Sequence, residues 1–198
     1  MSRKITILIA ALLLLPSLAS ARALSLGEIS AYLNSMRAAE SMFVQSNPDK
    51  TLAQGVMYLE KPGRIRYEYT TPADSLVISD GRYLGVFDKK SNRGVQAYDL
   101  KGTPLDILLS NSVDLTASGV VRDIRSDGTQ TRVVAVDPNN RRSGSLTMVF
   151  TADPIELRQW IVSDPLGRKT TVILSNLKLR SDIPNEFFDL AKTAAAYQ

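Results

Sequence analysis

The 198-residue chain contains neither cysteine nor histidine. Without cysteine there can be no disulfide, thiol nucleophile or cysteine-held metal, so the fold must rest on its own core. A lipidated N-terminus is excluded as well. Without histidine the chain loses the commonest general base, the commonest metal ligand and every Ser-His or Cys-His pairing. Charge is also not concentrated in one sign. The 24 Lys and Arg are interspersed with 20 Asp and Glu, and no single basic field forms, so nucleic acid is not an expected partner. No G-x-S-x-G occurs. Gly167-Arg168-Lys169-Thr170 matches the end of a phosphate loop, but the leading glycine is missing and the segment falls in a hairpin. Carboxylates such as Asp80 and Asp164 are accounted for by turn chemistry. An enzyme is not expected, and neither a cofactor nor a metal is called for.

The one long apolar run lies at the start. Arg3 and Lys4 precede a continuous apolar stretch from Ile5 to Leu15, and Ala19-Ser20-Ala21 offers a small-residue cleavage site, with Ala21-Arg22-Ala23 close behind. The run is shorter than the roughly 20 residues of a spanning helix and is stopped by Pro16. Residues 1–21 are therefore expected to be a cleaved export signal, and residues 22–198 one domain with a sizeable core. Loss of Arg3 and Lys4 with the signal lowers the formal net charge of +4 by two, so the whole-chain pI overstates the basicity of what remains.

One helix is predicted over 26–37. Ser25 and Glu28 have capping-box spacing, and Leu26, Ile29, Leu33 and Met36 form one apolar stripe, weakened slightly by Gly27. The stripe suits core packing or a lid over a cavity, and the two are compatible. A second, short helix is expected where Thr103 precedes Pro104, with Leu105, Ile107, Leu108 and Leu109 buried in the core or over a cavity mouth. Everything else reads as strand and turn. Arg64-Ile65-Arg66-Tyr67-Glu68-Tyr69 alternates without a break, which puts Ile65, Tyr67 and Tyr69 on one face. Strands are expected near 41–45, 54–60, 64–69, 75–79, 83–88, 93–98, 120–124, 131–136, 145–150, 158–162 and 170–176. Asp80-Gly81 and Asp127-Gly128 suit hairpin turns, and Asp164-Pro165-Leu166-Gly167 fits a type I turn. Many short strands without intervening helices indicate an antiparallel sheet, sandwich or barrel.

Several segments follow one another in order: Phe43-Val44-Gln45, Gly55 to Leu59, Lys61-Pro62-Gly63 running into Arg64 to Tyr67, Ile78-Ser79-Asp80-Gly81 with Leu84 and Phe87, Thr103-Pro104-Leu105 with Leu108-Leu109, and Asp164, Gly167 and Thr170. Together they resemble the outer-membrane lipoprotein carrier (LolA) family. The resemblance implies a mainly β (α+β) fold. A curved antiparallel sheet of about 11 strands forms an incomplete barrel, and a few helices cover its open side as a lid. It implies a periplasmic chaperone for lipoprotein acyl chains, expected to be monomeric. Such a carrier is loaded by an ATP-driven release complex of the inner membrane and unloaded at an outer-membrane receptor where the organism has one.

By the same resemblance the acyl-chain cavity is expected to involve Val56, Tyr58, Ile65, Tyr67, Tyr69, Leu84, Val86 and Trp160, each of which core packing also explains. The lid and its latch are expected to involve Leu33, Met36, Leu105, Leu108, Lys61 and Arg64. Two departures matter. The family has Arg before the Pro-Gly where this chain has Lys61, which lacks the planar guanidinium, so the latch falls to Lys61 or moves to Arg64 or Arg66. The family also favours an aromatic near Gly85, whose loss here would widen the cavity or reshape the sheet. The alternatives are a lipid- or lipoprotein-sensing module of an envelope stress pathway, which carries an additional domain, and a periplasmic enzyme working without His or Cys.

Overall fold

The computed structural model describes residues 22–88 and 94–196. The expected signal and position 93 of the sixth expected strand lie outside them. The first helix, α1 (Leu26–Ser35), begins as its capping box requires. Glu28 N–H donates to Ser25 Oγ at 3.3 Å, and Ser25 N–H donates to Glu28 Oε2 at 2.9 Å. Those Ser25 bonds, with Arg22 beside them, hold the Glu28 carboxyl down at about 2. Ile29 and Leu33 are fully buried, and Met36 just past the helix end is nearly so. Gly27 meets nothing, being on the solvent side. The helix stops two residues earlier than the stripe suggests, because the chain turns out at Met36 to enter the sheet.

Eleven strands follow: β1 (Ala38–Ser46), β2 (Leu52–Glu60), β3 (Arg64–Thr71), β4 (Ala73–Asp80), β5 (Tyr83–Asp88), β6 (Gln96–Asp99), then, after α2 (Pro104–Leu109), β7 (Val121–Ser126), β8 (Gln130–Ala135), β9 (Ser145–Ala152), β10 (Ile155–Ser163) and β11 (Lys169–Arg180). They form one antiparallel sheet in the order β6-β5-β4-β3-β2-β1-β11-β10-β9-β8-β7. Hairpins join each half, and β1 pairs with β11 to unite the halves at the centre. The sheet does not close, since β6 and β7 remain its two edges. The chain must therefore pass from one edge to the other, and α2 lies on that crossing. Its position over the open side follows from the topology.

The sheet is strongly curled. Tyr67 on β3 and Trp160 on β10 are four strands apart, roughly 19 Å in a flat sheet at ~4.8 Å per strand. Yet both side chains line one and the same cleft. Register shifts at Glu40/Met42, Gln54/Gly55, Glu68/Thr70, Val121/Asp123 and Leu157/Gln159 supply the local bends that a curled sheet needs. Gly55 belongs to one of them. In register it stands between Phe43 and Tyr69, whose rings meet edge-on at 5.2 Å across it, and a Cβ there would collide with the Glu68 carbonyl oxygen.

The main apolar cluster fills the concave side. Ile29, Leu33 and Met36 pack with Leu105, Leu108 and Leu109 of α2, Met57, Leu59 and Ile65 from one half of the sheet, and Met148, Phe150 and Trp160 from the other. Part of the convex side is covered too. A 3-10 turn (Asn185–Phe188) and α3 (Leu190–Ala196) were not expected from the sequence. Ile183 and Phe188 pack with Ala38, while Leu190 and Ala194 pack with Leu76, Ile78 and Phe87. The unbroken run Leu76-Val77-Ile78 follows from this arrangement, because β4 has apolar neighbours on both faces.

Candidate functional site

Between the curled sheet and α2 lies a cleft of about 570 Å³. Its walls are Tyr67 and Tyr69 of β3, Val77 of β4, Leu84 and Val86 of β5, Trp160 and Val162 of β10, and Val172 of β11. Pro104 and Leu105 of α2 close one side, and Gly102, Ser143, Asp164 and Pro165 form the rim. The few polar atoms inside are largely partnered. Tyr69 hydroxyl donates to Gln45 Oε1 at 3.0 Å, and Gln45 Nε2 donates to Asn47 Oδ1 at 2.7 Å. Burial pushes the Tyr69 phenol up to about 12 and also raises that of Tyr67, with Tyr69 beside it adding to the rise. Both are neutral at physiological pH. What the cleft offers is apolar surface and aromatic rings, and the carboxylate at its rim, Asp164, is held by Arg168. Among the described residues no group of three or more acidic side chains could hold a metal.

α1, α2 and the strand-free segment after α2 form a cover that is fastened at few points. Asn34 makes a reciprocal pair with Val113: its Nδ2 donates to the Val113 carbonyl at 2.9 Å, and Val113 N–H donates to its Oδ1 at 2.8 Å. Leu115 N–H donates to Ser30 Oγ at 3.0 Å, and Arg37 donates twice to Asn111 at 3.1 Å. These bonds bind α1 to the 111–115 segment, so the two belong to one piece. Toward the sheet, Tyr32 hydroxyl accepts from Leu157 N–H at 3.1 Å. Gly63 N–H donates to the Leu109 carbonyl at 2.8 Å.

Lys61 makes a further tie. It lies in the β2–β3 turn and is only 3% exposed, with its Nζ donating to the Leu33 carbonyl at 2.7 Å. That carbonyl is one of the last of α1 and has no intrahelical partner to expect. Burial, with Arg37 as a like charge nearby, lowers the lysine to about 8.

The expected residues divide in an informative way. Tyr67, Tyr69, Leu84, Val86 and Trp160 are brought together in the cleft wall. Ile65 is fully buried in the main cluster and is not among the lining residues. Val56 and Tyr58 fall on the opposite, convex face, which corrects their assignment to the cavity. Register decides it: Tyr67 pairs with Met57 and Ile65 with Leu59, so Met57 and Leu59 face inward and their neighbours face out. Tyr58 meets the Phe187 ring edge-on at 4.9 Å instead. Leu33, Met36 and Leu108 are buried in the cluster beneath the cover, and Leu105 reaches the cleft.

Arg64 is not near α1. It pairs with Glu60 at 3.0 Å, bonds Asn185, and lies 5.2 Å from the centre of the Phe188 ring, tying down the C-terminal segment. Arg66 does likewise, donating to the Phe187 carbonyl at 3.0 Å. Of the three cations weighed for the latch, only Lys61 is bonded to α1. Gly85 also faces outward, where a Cβ would collide with Leu190, so its missing ring makes room for α3 and does not widen the cleft. Val77, Val172, Val162 and Gln45 line the cleft without having been singled out. Val77 could have been found, since it pairs with Tyr67 across the β3–β4 ladder and so shares its face.

A curled, open antiparallel sheet with an apolar cleft beneath a lightly fastened helical cover defines the structural class. Within it, the family model described as "Outer membrane lipoprotein carrier protein LolA" matches residues 34–191. The chain belongs to that family. Among curated relatives, an "Outer-membrane lipoprotein carrier protein" of Chromohalobacter salexigens is 27% identical over 66% of this chain and 63% of its own length. One of the same name from Nitrosospira multiformis is 25% identical over 87% of this chain and 86% of its own. Among solved structures, a LolA superfamily protein from Nitrosomonas europaea aligns with TM-score 0.42 and 12% identity, covering 84% of this chain and 98% of that one.

Proposed function

We propose that the chain is a non-enzymatic periplasmic carrier that shelters lipoprotein acyl chains in the Tyr67–Trp160 cleft. The observation that carries the reading is the cleft itself, an apolar space of about 570 Å³ under a separable cover in a member of the LolA family. Each methylene moved from water into such a space gains about 0.8 kcal/mol. An exposed acyl chain would otherwise insert into any membrane or aggregate. The cleft suits part of a lipid anchor, and fuller loading lifts α1 with the 104–115 segment, breaking the Lys61–Leu33 bond. On this reading the N-terminal signal exports the chain. An ATP-driven inner-membrane complex loads it, and an outer-membrane receptor takes the cargo where one exists; the carrier itself works as a monomer.

Incubating the purified protein with inner-membrane vesicles bearing labelled lipoprotein tests this directly. Soluble lipoprotein–carrier complex is the expected product, and no release would refute the reading. Leu84→Arg, at a half-buried wall position, should abolish uptake of an apolar fluorescent probe while leaving the fold intact.

A further inference from the structure

Three turns meet at the cleft rim. The Lys101-Gly102 turn lies against the 137–144 loop, since a Cβ on Gly102 would be 3.9 Å from Asn140 Nδ2. The loop in turn abuts the β10–β11 hairpin, where a Cβ on Gly144 would collide with the Ser163 carbonyl oxygen. At the tip of that hairpin stands Leu166, 78% exposed, the most exposed large apolar side chain among the described residues. It is held outward by a well-bonded turn. Leu166 N–H donates to Asp164 Oδ1 at 2.9 Å, Gly167 N–H to the Asp164 carbonyl at 2.9 Å, and Arg168 Nε to Asp164 Oδ2 at 2.6 Å.

A solitary exposed leucine needs no explanation. This one stands among cations. Lys101, Arg142 and Lys169 are exposed and adjoin Gly102, Ser143 and Thr170 of the cleft lining, and among the described residues none has an ion-pair partner. Of the acids nearby, Asp164 is paired with Arg168 and Asp137 accepts from the Asn139 N–H at 2.8 Å, while Asp99, two residues before Lys101, is exposed. Arg141 turns away to the Gly119 carbonyl at 3.4 Å.

We propose that this rim docks on an anionic lipid surface, with Leu166 entering the headgroup layer and Lys101, Arg142 and Lys169 over the phosphates. A fixed apolar tip amid dispersed cations suits a fluid, negatively charged surface that moulds around it. Docking this way turns the cleft mouth toward the bilayer. Each cation near such a surface contributes about fivefold to partitioning, and insertion of the leucine about tenfold.

The test is co-sedimentation of the processed chain, purified from the cell envelope, with phosphatidylcholine vesicles and with phosphatidylcholine–phosphatidylglycerol vesicles, at low and high salt. Binding is expected on the anionic vesicles and should fall with salt. Leu166→Ser should weaken it about tenfold, and the triple change Lys101→Gln, Arg142→Gln, Lys169→Gln about a hundredfold. All four side chains are exposed, so unchanged melting should accompany these losses. Equal binding to both vesicle types, indifference to Leu166→Ser, or binding only when the vesicles display a membrane protein would each overturn the proposal. The vesicles hold no lipoprotein, so failure here leaves the carrier reading standing.

Discussion

Lys61 gives the cover a measurable pH signature. In the unfolded chain its ammonium titrates near 10.4, and in the folded protein burial brings it to about 8. Between those values the folded state has released the proton while the unfolded state retains it. Stability therefore rises with pH across that window and gains nothing more from Lys61 above it. The full gap corresponds to about 3 kcal/mol at neutral pH. Because the ammonium keeps its bond to the Leu33 carbonyl and some contact with solvent, a gain of about 1–2 kcal/mol from pH 7 to 9.5 is the reasoned expectation.

Lys61→Met removes the titration and keeps the shape. Urea unfolding at several pH values should show a rising profile for the parent and a flatter one for the variant, converging toward the upper end. The measured range should end below pH 10. Above it the buried phenols of Tyr67 and Tyr69, whose folded pKa values are raised, begin to withdraw stability as they ionise in the unfolded chain. Parallel profiles for parent and variant would refute the claim that a charged lysine is buried under α1.

Other consequences are equally direct. Asn34→Ala leaves both the N–H and the C=O of Val113 without their partner, and should cost about 1–3 kcal/mol in thermal or urea unfolding. The same change should speed entry of an apolar probe, since it loosens α1 from the 111–115 segment. Gly55→Ala drives a Cβ into the backbone oxygen of Glu68, which no side-chain rearrangement can relieve, and should prevent a stable fold or lower the melting temperature severely. Gly85→Ala meets chiefly the end of Leu190, with the Phe87 ring 3.2 Å away, so its cost should be about 1–2 kcal/mol and should be recovered in large part by Leu190→Ala in a double-mutant cycle.

The eleven strands are legible because most of them alternate cleanly between concave and convex faces. Arg64 to Tyr69 is the clearest case, with Ile65 and Tyr67 buried and their charged neighbours outside. β2 is harder, since Val56 and Tyr58 are as apolar as Met57 and Leu59, and a buried face cannot be chosen by composition alone. The three-residue turn at 61–63 holds the missing information. It pairs Glu60 with Arg64, and hence Met57 with Tyr67, which fixes the inward set. The capping box at Ser25 and the Thr103-Pro104 start are readable because they are local. Phe187, Phe188 and Leu190 show no helical period, and only their tertiary partners Tyr58, Ala38 and Phe87 explain their burial. Trp160 meeting Tyr67 depends on how far the sheet curls, a property no short segment encodes.

The division of labour between apolar and polar contacts sets the threshold for opening, on the carrier reading. Lifting α1 separates Ile29, Leu33 and Met36 from the cluster, but an incoming hydrocarbon chain replaces that apolar contact nearly in kind. The polar ties toward the sheet are not replaced. Among those that must break are Lys61–Leu33, Leu157–Tyr32 and Gly63–Leu109. At about 1 kcal/mol net each, they resist by roughly 3 kcal/mol. About four methylenes newly sheltered from water offset that, at about 0.8 kcal/mol each. A single acyl chain is several times longer, so loading is favourable once a chain reaches the mouth. Unloading must then be driven by a site that holds the chain better than the cleft does. A cover sealed by many more such bonds would exclude cargo, and one with none would leave Trp160 and Tyr67 open to water.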